Sequence, residues 1–456
     1  MMPASDAAAT PTRGEVLRIA TPLILSNLSV PLLGMVDTAV VGHMGEVHYL
    51  GAVAVGASVF SLLFLGLNFL RMASTGLASQ ATGAGDGDAL RVLLLQGVLV
   101  GLACAALLLV LQHPVRELAM SLLGVNAAVG QAARAYFDVR IWSAPLVLVN
   151  FVLVGWLVGL ARTRAVLAVT LTINLANILL DLLFVYGFGW GIRGVAAATV
   201  LAELLGLLAA TLAARGGLAS HPAPRLGLWS KATLDEAVAW RGLRQLFALN
   251  SNLLVRTLAL QLAFLVLTGR GARLGEAILA VNAVLLTFQH VISYGLDGFA
   301  QAVEALVGRG LGARRRQAVE RAVRYGFECA IAVAVVAAIM LAIGGGAAAD
   351  LLTDQSAVRE GVRRYLPWLV LSPLISLWSF IYDGAFIGAT AAREMRNAMV
   401  FSTFAIYLPA LWLFAGWGNH GLWAAFSLFM LARALTMGLA FRGAVLDRAG
   451  TGSEKV

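Results

Sequence analysis

The chain has 456 residues, 60% of them hydrophobic and only 12% charged, with a mean hydropathy of +0.85. Soluble domains carry about a quarter charged residues, so this composition excludes an ordinary soluble fold and points to a membrane. The formal net charge of +9 comes almost wholly from arginines in short loops, a signature of membrane topology and not of nucleic-acid binding.

The apolar runs are long and continuous. Each is long enough for the roughly 20 residues that cross about 30 Å of hydrocarbon, and none alternates in the manner of a barrel strand. They predict an all-α polytopic membrane protein with twelve transmembrane helices, at 15–42, 48–82, 89–112, 128–160, 165–187, 192–214, 242–269, 274–309, 318–344, 357–389, 394–416 and 420–446. The opening "MMPASDAAAT" lacks the basic start and isolated apolar core of a signal peptide, so the first helix itself is expected to insert the chain. Cys104 and Cys329 both lie in apolar runs and imply neither a disulfide framework nor a metal site.

Two halves are expected: an N-lobe at 1–214 and a C-lobe at 242–456, joined by a cytoplasmic linker at 215–241. An even number of spans puts both termini on one side. Most basic residues fall on that side, including Arg162, Arg164, Arg314, Arg315 and Arg316. The positive-inside rule then places both termini in the cytoplasm. The halves also repeat. An offset of 226 sets "AVAVGAS" from Ala52 against "ILAVNAV" from Ile278, and an offset of 229 matches Tyr136 with Tyr365, Ser143 with Ser372, Gly155 with Gly384 and Gly159 with Gly388. Parallel six-helix repeats related by an axis along the membrane normal are a common transporter build.

Ionisable residues inside a membrane are candidates for function. In the first span, Asp37 stands alone in "SVPLLGMVDTAVVGHMG", one turn after Gly34, with Pro22 and Pro31 earlier in the span as expected kink points. In the fifth, Thr170, Asn174, Asn177 and Asp181 follow at spacings that put all four on one helical face. Thr199 in the sixth span lies at a similar depth, and Glu203 follows one turn later. Two acids close together in low dielectric cannot both ionise cheaply, so Asp37 and Asp181 form a candidate site for a proton or a monovalent cation, completed by Asn174, Asn177 and Thr199. Structural hydrogen bonding between helices accounts for Asn and Thr, and less well for Asp181. The eighth span carries Gln289, Tyr294, Asp297, Gln301 and Glu304 on one broad face, and the tenth carries Asp383. Arg71, Arg256 and Arg433 fall within spans. Asp297, Gln301, Glu304, Asp383, Arg71 and Arg256 are candidates for a substrate cavity or gate. The 226 offset sets Arg71 opposite Asp297, a candidate charge latch between lobes.

The stretches "PLLGMVDTAVVGHMG", "NILLDLLFVYGFGWGIRGVAAATV", "YGLDGFAQAVEALVG" and "DGAFIGATAAREMRNAM" resemble the multidrug and toxic compound extrusion (MATE) family, in particular its bacterial DinF-like branch, over about residues 14–446. The resemblance implies a monomeric inner-membrane antiporter without cofactors. It would export cationic or amphipathic organic compounds against an inward flow of protons, or of sodium. It implies a coupling site at Asp37, Asn177 and Asp181 with Thr199 beside them. The NorM-like branch keeps a cation-binding Glu on the seventh helix, which this sequence lacks, and a tenth-helix Asp, which falls at Asp383.

Two other functions find less support in the sequence. A lipid-linked oligosaccharide flippase of the same superfamily would carry several basic residues in its cavity for pyrophosphate. Arg71, Arg256 and Arg433 are few for that. A membrane enzyme finds no support, because "GAGDGD" at 83–88 has no Lys and no preceding strand to make a phosphate loop.

Overall fold

The computed structural model describes residues 10–44, 47–123, 127–221, 227–228 and 230–449. They are helical almost throughout. Among them, eleven helices are long and apolar enough to cross a membrane. In chain order these are α1 (Arg13–Gly42), α2 (His48–Ala84), α3 (Gly87–Val110), α4 (Ala128–Gly159), α5 (Thr163–Gly187), α6 (Gly191–Ala219), α7 (Trp240–Arg273), α8 (Glu276–Gly312), α9 (Arg316–Leu352), α10 (Ser356–Gly388) and, last in the chain, Asn419–Ala449. The remaining expected span is broken into an α-helix at Ala392–Phe401, a π-helical stretch at Ser402–Tyr407 and a short α-helix at Leu408–Leu413. We label this composite segment α11 and Asn419–Ala449 α12. Pro409, which has no backbone N–H to donate one turn back, lies just past the wide stretch.

Pro22 and Pro31 do not interrupt α1, which is continuously helical. Each still removes one backbone donor from its ladder. By contrast α2 breaks at Asn68, between helices Val47–Leu67 and Phe69–Ala84. Part of the expected linker is helical. α6 runs on to Ala219 and a helix forms at Lys231–Ala237, where the Ser230 hydroxyl accepts the Thr233 N–H at 3.2 Å as an N-cap. Residues 222–226 and 229 of the expected linker lie outside the described residues. A further helix, Gln112–Leu123, precedes α4.

The chain divides into two compact units, Leu25–Leu246 and Met1–Ile24 with Phe247–Val456, so α1 contributes to both. Each unit is tied together by small residues. In the first, a Cβ on Gly155 of α4 would run into the Arg71 carbonyl of α2, and one on Gly159 would meet the Thr75 carbonyl at 2.9 Å. In the second, Gly384 and Gly388 of α10 lie in the same way against the Ala300 and Glu304 carbonyls of α8. Glycine four residues apart lets two helix backbones touch, which is how membrane helices pack when lipid is as apolar as leucine.

These contacts correct one register. They make Arg71 equivalent to Ala300 and Thr75 equivalent to Glu304, an offset of 229. The 226 offset that set Arg71 against Asp297 is one helical turn out at this level. Outside, large side chains such as Leu351, Leu439 and Ile343 stand exposed on the surface that a bilayer would cover.

Candidate functional site

The first unit contains a parallel pair of helices joined by polar side chains along their length. The Ser26 and Thr170 hydroxyls are hydrogen bonded at 2.6 Å, and the Asn174 amide donates to the Ser29 hydroxyl at 2.8 Å. Nearer the end of α1, the Tyr186 hydroxyl donates to the Val40 carbonyl at 3.0 Å. These links hold α1 and α5 in one register. The spacing Thr170, Asn174, Asn177, Asp181 turns a single stripe of α5 toward α1.

Within that register the Asp37 and Asp181 carboxyls are hydrogen-bond neighbours. Asp181 and Asn177 are fully buried, and Asn174 and Thr199 nearly so, while Asp37 is half-buried. The Asn177 amide donates to the Thr199 hydroxyl at 3.3 Å, and that hydroxyl donates in turn to the Val195 carbonyl of its own helix. Apart from the facing acid, Asp37 Oδ1 and both Asp181 oxygens have no hydrogen-bond partner among the described residues, and neither does Asn177 Oδ1. The structure therefore gathers Asp37, Asn177, Asp181 and Thr199 in one place, with Asn174 one turn away along the same stripe. Gly34 is open: a Cβ there would meet nothing within 4 Å.

Two more charged neighbours lie close by: Arg140, which the sequence reading does not single out, and Glu203, which it names without a role. Arg140 of α4 is an electrostatic neighbour of Asp37, Asp181 and Glu203, and a hydrogen-bond neighbour of Tyr136. Its guanidinium lies over the Phe60 and Phe64 rings at 5.4 and 6.0 Å and donates to the Ser143 hydroxyl at 2.8 Å. Glu203 accepts from the Asn150 amide at 3.4 Å. The signal was available: Arg140 falls inside the 128–160 span, and belongs with the intramembrane arginines. Position inside a span does not reveal that its side chain turns toward the acids of α1 and α5.

Several of the other candidates have partners within their own unit. Arg71 donates through Nε to Asn68 Oδ1 at 3.2 Å, at the break in α2. Asp297 accepts from the Gln301 amide at 2.6 Å, one turn along α8, and Glu304 is buried a turn further on. Asp383 belongs to neither group. Its Oδ2 accepts from Nη2 of Arg256 and, at 2.7 Å, from Nη2 of Arg433. Asp181 and Ala410 correspond at the 229 offset, so the acid pair of the first unit has no counterpart at that position of α11.

Known proteins place this architecture. The MatE family model matches residues 22–183 and 253–413. The chain is 42% identical to DNA damage-inducible protein F of Escherichia coli (strain K12), over 93% of this chain and 91% of that protein. It is 25% identical to the chloroplastic protein DETOXIFICATION 44 of Arabidopsis thaliana, over 92% and 80% of the two chains. The fold matches an outward-facing structure of a multidrug resistance MATE family transporter with a TM-score of 0.84 at 18% identity, over 98% of this chain and 99% of that one. The family model covers most of this all-helical, multi-span membrane protein, and the E. coli relative nearly all of it; it is a transporter and not an enzyme, and the chain belongs to the MATE family, akin to E. coli DinF.

Proposed function

We propose that this chain is a secondary active antiporter of the bacterial inner membrane, which exports cationic or amphipathic organic compounds in exchange for protons by alternating access. In this reading both termini are cytoplasmic, the 215–241 linker joins the N-lobe to the C-lobe in sequence, and the protein acts as a monomer. The observation that carries it is the pairing of Asp37 with Asp181 inside the first unit.

Two facing carboxylates withdrawn from water repel each other unless a proton or a cation lies between them. A protonated Asp37 has a hydrogen to donate, to Asp181 or to Asn177 Oδ1, and draws the C-terminal third of α1 toward α5. An ionised Asp37 has none, and the contact weakens. The Ser26–Thr170 and Ser29–Asn174 links on one side, and Tyr186 with the Val40 carbonyl on the other, hold α1 on either flank of this variable contact. Proton binding therefore acts on the segment that contains Pro31, where α1 already lacks one backbone bond. Reshaping that segment alters the space available to a substrate and drives its release. Arg140 supplies a resident positive charge facing the same acids, which favours a shared proton over an added metal cation.

Sodium is the second reading. Four oxygens without outside partners, on Asp37, Asp181 and Asn177, are the kind of donor set a monovalent cation takes. The two are separated by reconstituting the protein into liposomes and imposing a pH gradient or a sodium gradient alone. Export of a cationic dye driven by the pH gradient, and absent with sodium, supports the proton; the reverse supports sodium.

A further inference from the structure

The second unit buries a different kind of centre. Arg256 of α7, Asp383 of α10 and Arg433 of α12 are 6%, 6% and 3% exposed. Two guanidiniums share one carboxylate oxygen, so the cluster carries one positive charge in excess. Both arginines use only Nη2 on the acid. Nε of Arg256, Nε of Arg433 and Oδ1 of Asp383 are buried without a partner among the described residues. Arg433 Nη1 finds only the Met430 sulfur, at 3.2 Å, and the guanidinium lies over the Phe429 ring.

The surroundings add more unmet polar groups. Asn250, Thr257 and Gln261 line one side of α7 and Ser402 and Thr403 sit in the π-helical stretch of α11, and each has a buried side-chain atom without a partner. These two helices are in register. Arg396 donates to Asn252 at 2.6 Å and the Tyr407 hydroxyl to the Ala263 carbonyl at 3.2 Å, both 144 residues apart. Ser402 and Thr403 are thereby level with 258–259, next to Thr257 and two residues from Arg256. Three helices, α7, α11 and α12, bring unsatisfied donors close to this excess positive charge, and α10 brings one unsatisfied acceptor, Asp383 Oδ1.

A purely structural ion pair gains nothing from this arrangement. An unbalanced buried charge is costly, and each unmet donor adds to that cost. One negatively charged group set between the two Nε–H donors removes both penalties. Arginine forks recognise carboxylate and phosphate oxygens in this way.

We propose that this cluster is a binding site for the anionic group, carboxylate or phosphate, of a transported amphipathic compound. Arg256 and Arg433 donate through Nε, and Thr257, Gln261, Ser402 and Thr403 order the group. Asp383 holds the two guanidiniums together and offers Oδ1 to a hydroxyl or ammonium on the same compound. The inference rests on the reading of the chain as an exporter, and not on which ion drives it.

The test uses purified full-length protein, with 5(6)-carboxyfluorescein as the anionic probe and ethidium as the cationic one. Saturable binding of carboxyfluorescein is expected by anisotropy, with benzoate or dihexanoyl phosphatidic acid competing; the more effective competitor tells a solute carboxylate from a lipid phosphate. Arg433→Gln leaves one arginine with one aspartate and should weaken carboxyfluorescein binding about tenfold or more, the scale of a lost charge-assisted bond. Asp383→Asn raises the excess charge and should bind the anionic probe at least as tightly as the parent. A parent protein that exports ethidium but binds no carboxyfluorescein overturns the anion site alone; one that moves no probe overturns the exporter reading as well. Loss of binding in both variants together with a lowered melting temperature assigns the cluster a structural role and overturns the proposal, as does binding that neither competitor displaces.

Discussion

The Arg71 carbonyl of α2 occupies the space that a side chain on Gly155 would need. The same relation recurs between Ala300 and Gly384 in the second unit. Backbone cannot move aside as a flexible side chain can, so Gly155→Ala and Gly384→Ala should each lower stability by roughly 1–3 kcal/mol, the usual range for an overpacked core. Gly34 faces open space, and Gly34→Ala should leave stability unchanged or raise it by about 0.5–1 kcal/mol through helix propensity. Thermal unfolding of the detergent-solubilised variants checks all three.

Asp37 and Asp181 act as one unit if a single proton or cation serves both. Asp37→Asn and Asp181→Asn should each abolish gradient-driven export of a cationic dye while the protein still folds. The double variant should then be little worse than either single one, because groups in one site are not additive. Losses that multiply would assign the two acids to separate steps. Dye efflux from proteoliposomes, with size-exclusion profiles as the folding control, makes the comparison.

Asn177→Ala removes both the donor to Thr199 and the free Oδ1 near the acids. Thr199→Val removes only the hydroxyl, which retains its own-helix acceptor in the parent. The first should therefore impair export more than the second, at similar melting temperatures. Equal effects would place the function in the Asn177–Thr199 bond itself.

Not every titrating group belongs to the transport cycle. Glu117, in the helix before α4, is exposed and is bonded to Arg134 and Arg116 at 2.9 Å each. Those guanidiniums hold its carboxyl down at about 2, below the ordinary 4.5. Its contribution to docking this helix is present above pH 4.5 and is lost as pH falls toward 2. Glu117→Gln should thus leave the pH profile of export unchanged in the neutral range. It should increase hydrogen exchange over residues 112–123 at neutral pH, with the parent approaching the variant only below pH 4.5.

Span number and the α5 stripe were legible because hydropathy and helical spacing follow directly from composition and the 3.6-residue turn. Asp37 and Asp181 stood out because a lone acid in an apolar run has few structural uses. Arg140 and Glu203 were harder to read. A span containing an arginine looks the same whether the side chain reaches a headgroup or turns inward, and only the packing of α4 against α2 and α6 decides it. The Arg256–Asp383–Arg433 cluster joins residues 127 and 50 positions apart, a convergence no local pattern encodes. The break of α11 at Ser402–Tyr407 was invisible for a related reason: a π-helical stretch keeps the composition of an α-helix. The single-turn slip between the 226 and 229 offsets shows how little register apolar repeats fix without their packing contacts.

The most direct measurement of proton coupling is dye export in proteoliposomes, for the parent and Asp37→Asn, with a pH gradient and a sodium gradient imposed separately. Proton-coupled export through Asp37 gives accumulation in the parent under the pH gradient only, and none in Asp37→Asn under either. Undiminished pH-driven accumulation by a correctly folded Asp37→Asn protein would contradict it.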